Sequence, residues 1–191
     1  MNSFYSEKEL KSLGLKSYGK DVLISRKISI YGPEQISIGD NVRIDDFCVL
    51  SGKISLGNHV HLSAGDYLFA GNAGIKMEDF SSLSSRVCVY AVSDDYSGNS
   101  MTNPCIYDKY KNIISKKIVI EKYSIVGTSS TILPGVILSE GTSVGSMSLI
   151  NKTTLPWHIY VGIPAKPLKE RSKNLLKLEK DFLKEYEMKN K

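Results

Sequence analysis

The residues of this sequence that could do chemistry are few. Asp94 and Asp95 open a long polar excursion, and Ser84 stands shortly before it in the run Ser81-Ser82-Leu83-Ser84-Ser85-Arg86. A carboxylate at such a place can position a cationic group or accept a proton. At an unperturbed pKa of about 3.9 it is a poor base near neutral pH, although burial raises that value. A serine hydroxyl can donate to an oxyanion as it develops. The histidines are His59, His61 and His158. His59 and His61 flank the apolar Val60 and so point away from whatever Val60 packs into, towards a surface or an interface. His158 follows Trp157 in a turn and reads as structural or as lying near a bound ligand, not as catalytic. Cys48, Cys88 and Cys105 have no metal spacing and cannot all pair within one chain. No cluster of His, Cys and carboxylate has ligand spacing, so no metal is expected.

The chain must be able to hold such groups in place. It has 191 residues, 41% hydrophobic and 24% charged, which is one domain with a core and room for an appendage. No apolar run approaches the length of a membrane span. The start, MNSFYSEKELKS, lacks the basic-then-apolar order of a secretory signal. With cysteines spaced for no framework, a cytoplasmic protein is expected. A net charge of +5, scattered along the chain, favours small anions and argues for no nucleic-acid partner.

What positions the candidate residues is a six-residue step. From Ile118 and Ile120 it lands on Ser124/Val126, Ser130/Ile132, Val136/Leu138, Thr142/Val144 and Ser148/Ile150. A period of six drifts around a helix of 3.6 residues per turn, and strict alternation does not persist between the pairs. Short strands joined by corners do fit, each strand sending two side chains into a shared interior, as in a parallel β-helix. The step also runs through Ile36/Ile38, Val42/Ile44, Cys48/Leu50, Ile54/Leu56, Val60/Leu62 and a weaker pair, Asp66/Leu68. Three extra residues shift the frame near AGNAG, and it resumes at Ile75/Met77, Ser81/Leu83 and Val87/Val89. Less regular pairs, Val22/Ile24 and Ile28/Ile30, precede it. Gly39, Gly57 and the small or turn-forming residues near them are expected to supply the corners, where positive φ is cheap for Gly, Asn and Asp. At three hexads a coil the chain holds about five to six coils.

Three segments lie outside the repeat. Residues 1–21 form a lead-in with a short helix from Ser6 to Leu13, marked by the capping-box spacing of Ser6 and Glu9 and ended by Gly14. Residues 93–117 project from the β-helix of 22–170 as an ordered loop, with Tyr96, Pro104, Tyr107 and Tyr110 as packing material. Residues 171–191 give an amphipathic helix whose Leu175, Leu178, Phe182 and Tyr186 cover the coil end or a neighbouring subunit.

The hexads, the projecting loop and the closing VGIPAKPLKE segment resemble the left-handed β-helix acyltransferases. FYSEKELKSLG, DVLISRKISIYGP, ISIGDNVRIDDFCVLSGK and VYAVSDDYSGN narrow the resemblance to the N-acyltransferases of dTDP-4-amino-4,6-dideoxyglucose in O-antigen and related surface-sugar biosynthesis. It covers nearly the whole chain. The resemblance implies an all-β, left-handed parallel β-helix with short N-terminal and C-terminal helices. It also implies a homotrimer with acyl-CoA in the groove between adjacent prisms and acetyl transfer from acetyl-CoA to a dTDP-linked 4-amino sugar.

Many relatives carry a His at the root of the projecting loop, where this chain has Val92-Ser93-Asp94-Asp95-Tyr96. An amine acceptor brings its own nucleophilicity, and orientation alone can lower a barrier by roughly 7–11 kcal/mol. Asp94 is therefore assigned to positioning first and proton acceptance second, and Ser84 to the sugar or the oxyanion. Asp95, Tyr90, Arg86, His59 and His61 are the substrate-binding candidates. Gly127, Gly145, Ser146, Pro164, Ala165 and Lys166 are those for CoA. The same fold acting on a sugar hydroxyl, or a β-helix that transfers no acyl group (γ-carbonic-anhydrase-like or a scaffold), are the alternatives. The first needs a stronger base than Asp94. A γ-carbonic-anhydrase-like site needs three well-placed histidines, and His158 lies far from His59 and His61 in stacking order. A scaffold has no use for the GIPAKP ending.

Overall fold

The computed structural model describes residues 3–189. Every regular hexad pair from Ile36/Ile38 to Ser148/Ile150 is buried, including the weak Asp66/Leu68, whereas Ile28 and Ile30 are half-buried. Each strand is too short to bury a face by itself. Its inward residue stacks on the equivalent residue of the next coil, so the interior is a set of aliphatic columns, each fully buried side chain contributing about 1.5–3 kcal/mol.

The columns define three faces. Face A pairs Leu23–Ile24, Arg43–Ile44, His61–Leu62, Ser82–Leu83, Ile125–Val126, Ser143–Val144 and His158–Gly162 in parallel, which stacks Ile44, Leu62, Leu83, Val126 and Val144. Face B carries Leu50, Leu68, Val89, Ile132 and Ile150 in register. Face C carries Ile38, Leu56, Met77, Ile120 and Leu138. Counted by these columns, coils 2 to 6 follow a less regular first coil of Ser17–Tyr18, Leu23–Ile24 and Ser29–Tyr31. Two long strands, Val49–Leu56 and Tyr67–Met77, turn the corner from B to C without a break. The three-residue insertion sits there, where the register between them shifts.

The short helix α1 is Glu7–Ser12, with the Ser6–Glu9 capping box formed and Leu10 buried. The tail helix α2 is Leu175–Lys189, preceded by a strand, Ala165–Glu170, antiparallel to His158–Gly162. It lies along the corner between faces C and A and does not close the end of the coils. Tyr186 accepts a hydrogen bond from Asn41 at 2.8 Å and Glu179 accepts one from Tyr123 at 2.7 Å. Beneath it runs a column of rings, His59, Phe80, Tyr123 and Trp157, with successive centroids 4.7, 5.9 and 5.9 Å apart.

Two expectations change. Positive φ falls on Asn41, His59, Phe80 and Tyr123 at this corner, and on Phe47, Arg86, Ser129 and Met147 at the next, not on Gly39 or Gly57. Gly39 is required by close approach instead, because a Cβ there would sit 2.7 Å from the Gly57 carbonyl oxygen. The loop is ordered, but not by its tyrosines. Tyr96 and Tyr107 are 92% and 80% exposed. The loop is tied down by a two-stranded ladder between Val92–Ser93 and Ile114–Ser115 and by the hydrogen bonds of Asp95.

Candidate active site

The corner between faces A and B collects most of the candidates. Asp45, Ser63, Ser84, Gly127 and Gly145 form one ladder there, each backbone N–H donating to the strand of the next coil: Asp45 to Leu62 at 2.9 Å, Ser63 to Leu83 at 3.2 Å, and Ser84, Gly127 and Gly145 to Val126, Val144 and Tyr160 at 2.8 Å. Beyond Ser84, at Gly127 and Gly145, the ladder carries no side chains. A Cβ on Gly127 would stand 2.5 Å from the Ser146 nitrogen, and one on Gly145 would stand 2.8 Å from Val161 Cγ1. The result is a bare track leading from Ser84 past Ser146 to the hairpin that holds Pro164, Ala165 and Lys166. An extended chain with amide groups can lie along such a track with only backbone and small side chains beneath it.

Asp94 is elsewhere. It follows Val92–Ser93 at the corner between faces B and C, where Gly71 admits Val92: a Cβ on Gly71 would lie 2.4 Å from Val92 Cγ2. Ser84 and Asp94 thus stand at opposite ends of one edge of coil 4, roughly 15 Å apart by the rise of the strand between them. Among the described residues neither the Ser84 hydroxyl nor the Asp94 carboxylate has a hydrogen-bond partner, so both are free for a ligand. Asp95 is committed to the loop. Its carboxylate accepts from the Ser97 N–H at 2.8 Å and the Ser100 hydroxyl at 2.6 Å, which holds its pKa below the ordinary value.

The remaining candidates divide. Arg86 lies two residues beyond Ser84 on the same corner, exposed and at positive φ. Tyr90 stacks on Phe69 at 5.2 Å on the outer side of face B, and burial, with Cys88 next to it, raises its pKa. His61 lies on face A beside Ser82, its Nε2 2.8 Å from Asp45 Oδ2. Asp45 also accepts from Arg43 Nε at 2.8 Å. Burial works to raise the Asp45 pKa, but these two partners prevail and it falls below the ordinary value. Nothing in the sequence pattern singles out Asp45, because the link to His61 crosses between coils. His59 is not on an open face: it stacks on Phe80 and meets Phe182 and Tyr186 edge-on under α2. His158 Nδ1 lies 2.7 Å from the Pro156 carbonyl oxygen, within its own turn.

A concavity of about 410 Å³ lies between α2 and face A, with Ser82 and Ile125 as its floor. It adjoins the Ser84 track without containing Ser84. No grouping of His, Cys, Asp and Glu able to hold a metal occurs among the described residues.

Coils of hexads with a glycine-bare corner and an ordered loop at the neighbouring corner define a β-helix protein of the hexapeptide-repeat class. No protein-family model matches the chain. It is 43% identical over 183 residues to the dTDP-4-amino-4,6-dideoxy-D-glucose acyltransferase of Escherichia coli, covering 94% of this chain and 95% of that one. Its fold matches the crystal structure of AntD, an N-acyltransferase from Bacillus cereus, in complex with dTDP and 3-hydroxybutyryl-CoA, at a TM-score of 0.96 and 49% identity, with 98% of this chain and 100% of that chain covered. The S84C variant of AntD, in complex with dTDP-4-amino-4,6-dideoxyglucose and coenzyme A, matches at a TM-score of 0.95 and 49% identity over 97% and 99% of the two chains. The chain belongs to the dTDP-4-amino-4,6-dideoxyglucose acyltransferase family.

Proposed function

We propose that this protein transfers a short acyl group from acyl-CoA to the 4-amino group of dTDP-4-amino-4,6-dideoxyglucose, supplying an N-acylated sugar for O-antigen or a related surface polysaccharide. The observation that carries this reading is the unpartnered Ser84 hydroxyl at the head of the track that Gly127 and Gly145 leave bare. The pantetheine arm lies along the track, with Ser146, Pro164, Ala165 and Lys166 towards its phosphates, and its thioester reaches Ser84. Asp94 draws the sugar ammonium in, takes up the proton that it must lose to become a nucleophile and passes it to water. It then turns the free amine towards the thioester carbonyl. The N–C bond forms, the C–S bond breaks, and the amine's proton passes to the departing thiolate. Ser84 donates to the sugar or to the developing oxyanion.

One prism keeps Ser84 and Asp94 apart, so the site takes Ser84 from one copy and Asp94 from the next. A closed homotrimer does this at every interface, setting the A/B corner of one prism against the B/C corner of its neighbour. The outer side of face B, with Val49, Tyr67, Phe69, Cys88, Tyr90 and Leu149, has the apolar character that a shared interface needs. A cytoplasmic setting accords with three cysteines that form no disulfide.

The test is incubation with acetyl-CoA or 3-hydroxybutyryl-CoA and either the 4-amino sugar nucleotide or its 4-hydroxy counterpart, recording free thiol and product mass. An amide product from the amine alone is expected. Acylation of the hydroxy compound at a comparable rate, or no reaction with the amine, refutes the reading.

A further inference from the structure

Inside the corner that carries Ser84 lies a carboxyl group that the reaction above does not use. Asp66 points inward in coil 3 and is fully buried. Its Oδ1 accepts from the Val87 N–H at 2.9 Å, while Oδ2 has no partner among the described residues. Other coils solve the same position with a donor. Cys48 donates its thiol hydrogen to the Ser63 carbonyl at 3.1 Å, and the Ser130 hydroxyl donates to the Gly145 carbonyl at 3.1 Å. At another corner Ser124 donates to the Ser139 carbonyl at 3.2 Å. In all three the acceptor lies fifteen residues ahead, in the next coil.

The inward group at this position also receives a bond. Ser148 N–H donates to Ser130 Oγ from eighteen residues ahead. Val87 N–H donates to Asp66 from twenty-one, the difference being the three-residue insertion between them. Corrected for the same insertion, the carbonyl that Asp66 should reach is that of Ser84. Ser63, Ser84 and Gly145 occupy equivalent positions on the A/B ladder, one in each of three coils, which supports the correspondence.

We propose that Asp66 is a positioning residue: as a neutral carboxylic acid it donates from Oδ2 to the Ser84 carbonyl and so fixes the corner from which the Ser84 hydroxyl meets substrate. The role rests on the reading of Ser84 given above. An ionised carboxylate cannot donate and would face the carbonyl oxygen as like against like. The environment favours the neutral form. Burial pushes the Asp66 pKa up to about 7, against the opposing hydrogen bond from the Val87 N–H and the nearby Ser63 backbone, and the charge of Asp45 adds to the rise. The titratable groups around it are Asp45 from coil 2 and the thiols of Cys48 and Cys88 in the coils on either side. None is a cation. Above neutral pH the acid ionises, the corner loses its tie, and turnover should fall even though the acceptor amine is then better deprotonated.

The test joins an infrared titration to kinetics on the full-length protein. The wild-type minus Asp66→Asn difference spectrum should show a protonated carboxylic-acid band at pH 6 that fades as pH rises through neutrality. Asp66→Asn keeps both hydrogen bonds without a charge, and Asp66→Ser copies the solution of coil 5. Both should retain kcat at pH 6 and flatten the alkaline fall. Asp66→Val removes the donor and should lower kcat about 10–100-fold while leaving KM for acyl-CoA unchanged, the scale of a misplaced reacting group. Absence of the acid band at pH 6, or wild-type kcat in Asp66→Val, overturns the proposal and leaves the reading of Ser84 standing. Full activity in Ser84→Ala overturns that reading and the positioning role with it, whatever the infrared shows.

Discussion

Replacing Asp66 by Asn should change the pH dependence of stability by an amount that the buried site sets. The side chain has no exposed surface, and burial raises its pKa from 3.8 to about 7. Between those values the folded chain holds one more proton than the unfolded chain. Stability then falls as pH rises, by about 1.36 kcal/mol per pH unit, and levels off once the folded-state group has also ionised. The contribution lost over the whole window is about 4 kcal/mol; it is present in full below pH 4 and gone above pH 7. Asn cannot ionise, so its stability curve lacks this descent. Urea unfolding of both proteins at pH 4, 5, 6, 7 and 8, at one fixed protomer concentration, measures the effect as a difference between curves. The gap between Asp66→Asn and wild type should widen by about 4 kcal/mol from pH 4 to pH 7 and then stay constant. Curves that run parallel over this range would show that Asp66 keeps an ordinary pKa, and the argument from its burial would fail.

Gly127→Ala should raise KM for acyl-CoA more than it raises KM for the sugar nucleotide, because its Cβ would stand 2.5 Å from the Ser146 nitrogen on the bare track. Steady-state kinetics with each substrate varied in turn will show which KM moves. Gly141→Ala should destabilise the fold by about 2 kcal/mol or more without a specific effect on either KM, since overpacking and positive φ both oppose it. Its φ is +69°, and the added Cβ would meet the Trp157 ring at 2.5–2.7 Å. Thermal unfolding reports the loss. Asp94→Asn should reduce kcat by up to about 10²–10⁴-fold and leave the dissociation constant for CoA unchanged by calorimetry.

The hexads were legible because each strand has only two inward side chains, and the chain states its six-residue period in their types. Asp66 was legible as a misfit, an acid where every other inward residue is aliphatic, a thiol or a small hydroxyl. Its meaning was not, because the bond to Val87 and the correspondence with Ser84 lie between coils rather than along the chain. Gly39 and Gly57 were read as conformationally special, but what they provide is room for the adjacent coil. His59 alternates with Val60 as an outward residue should, yet α2 comes from the far end of the sequence to cover it. The missing six-residue step set the loop apart in the sequence, but its tyrosines do not order it; short polar bonds around Asp95 do. Ser84 and Asp94 could be chosen as candidates from type and place, but their separation across one edge of coil 4 emerges only when the chain is wound into a prism.

That separation gives the most direct measurement of the central claim, a site built from two copies. Ser84→Ala and Asp94→Ala would each be purified, unfolded together in equal amounts, refolded, and assayed for CoA release with the amino sugar. In random trimers an interface is intact when one protomer supplies Ser84 and its neighbour supplies Asp94, which occurs at about one quarter of the interfaces. The account predicts recovery of about one quarter of wild-type activity from two proteins that are each severely impaired. Activity that stays at the level of the separate variants, with refolded wild type fully active as the control, would contradict it.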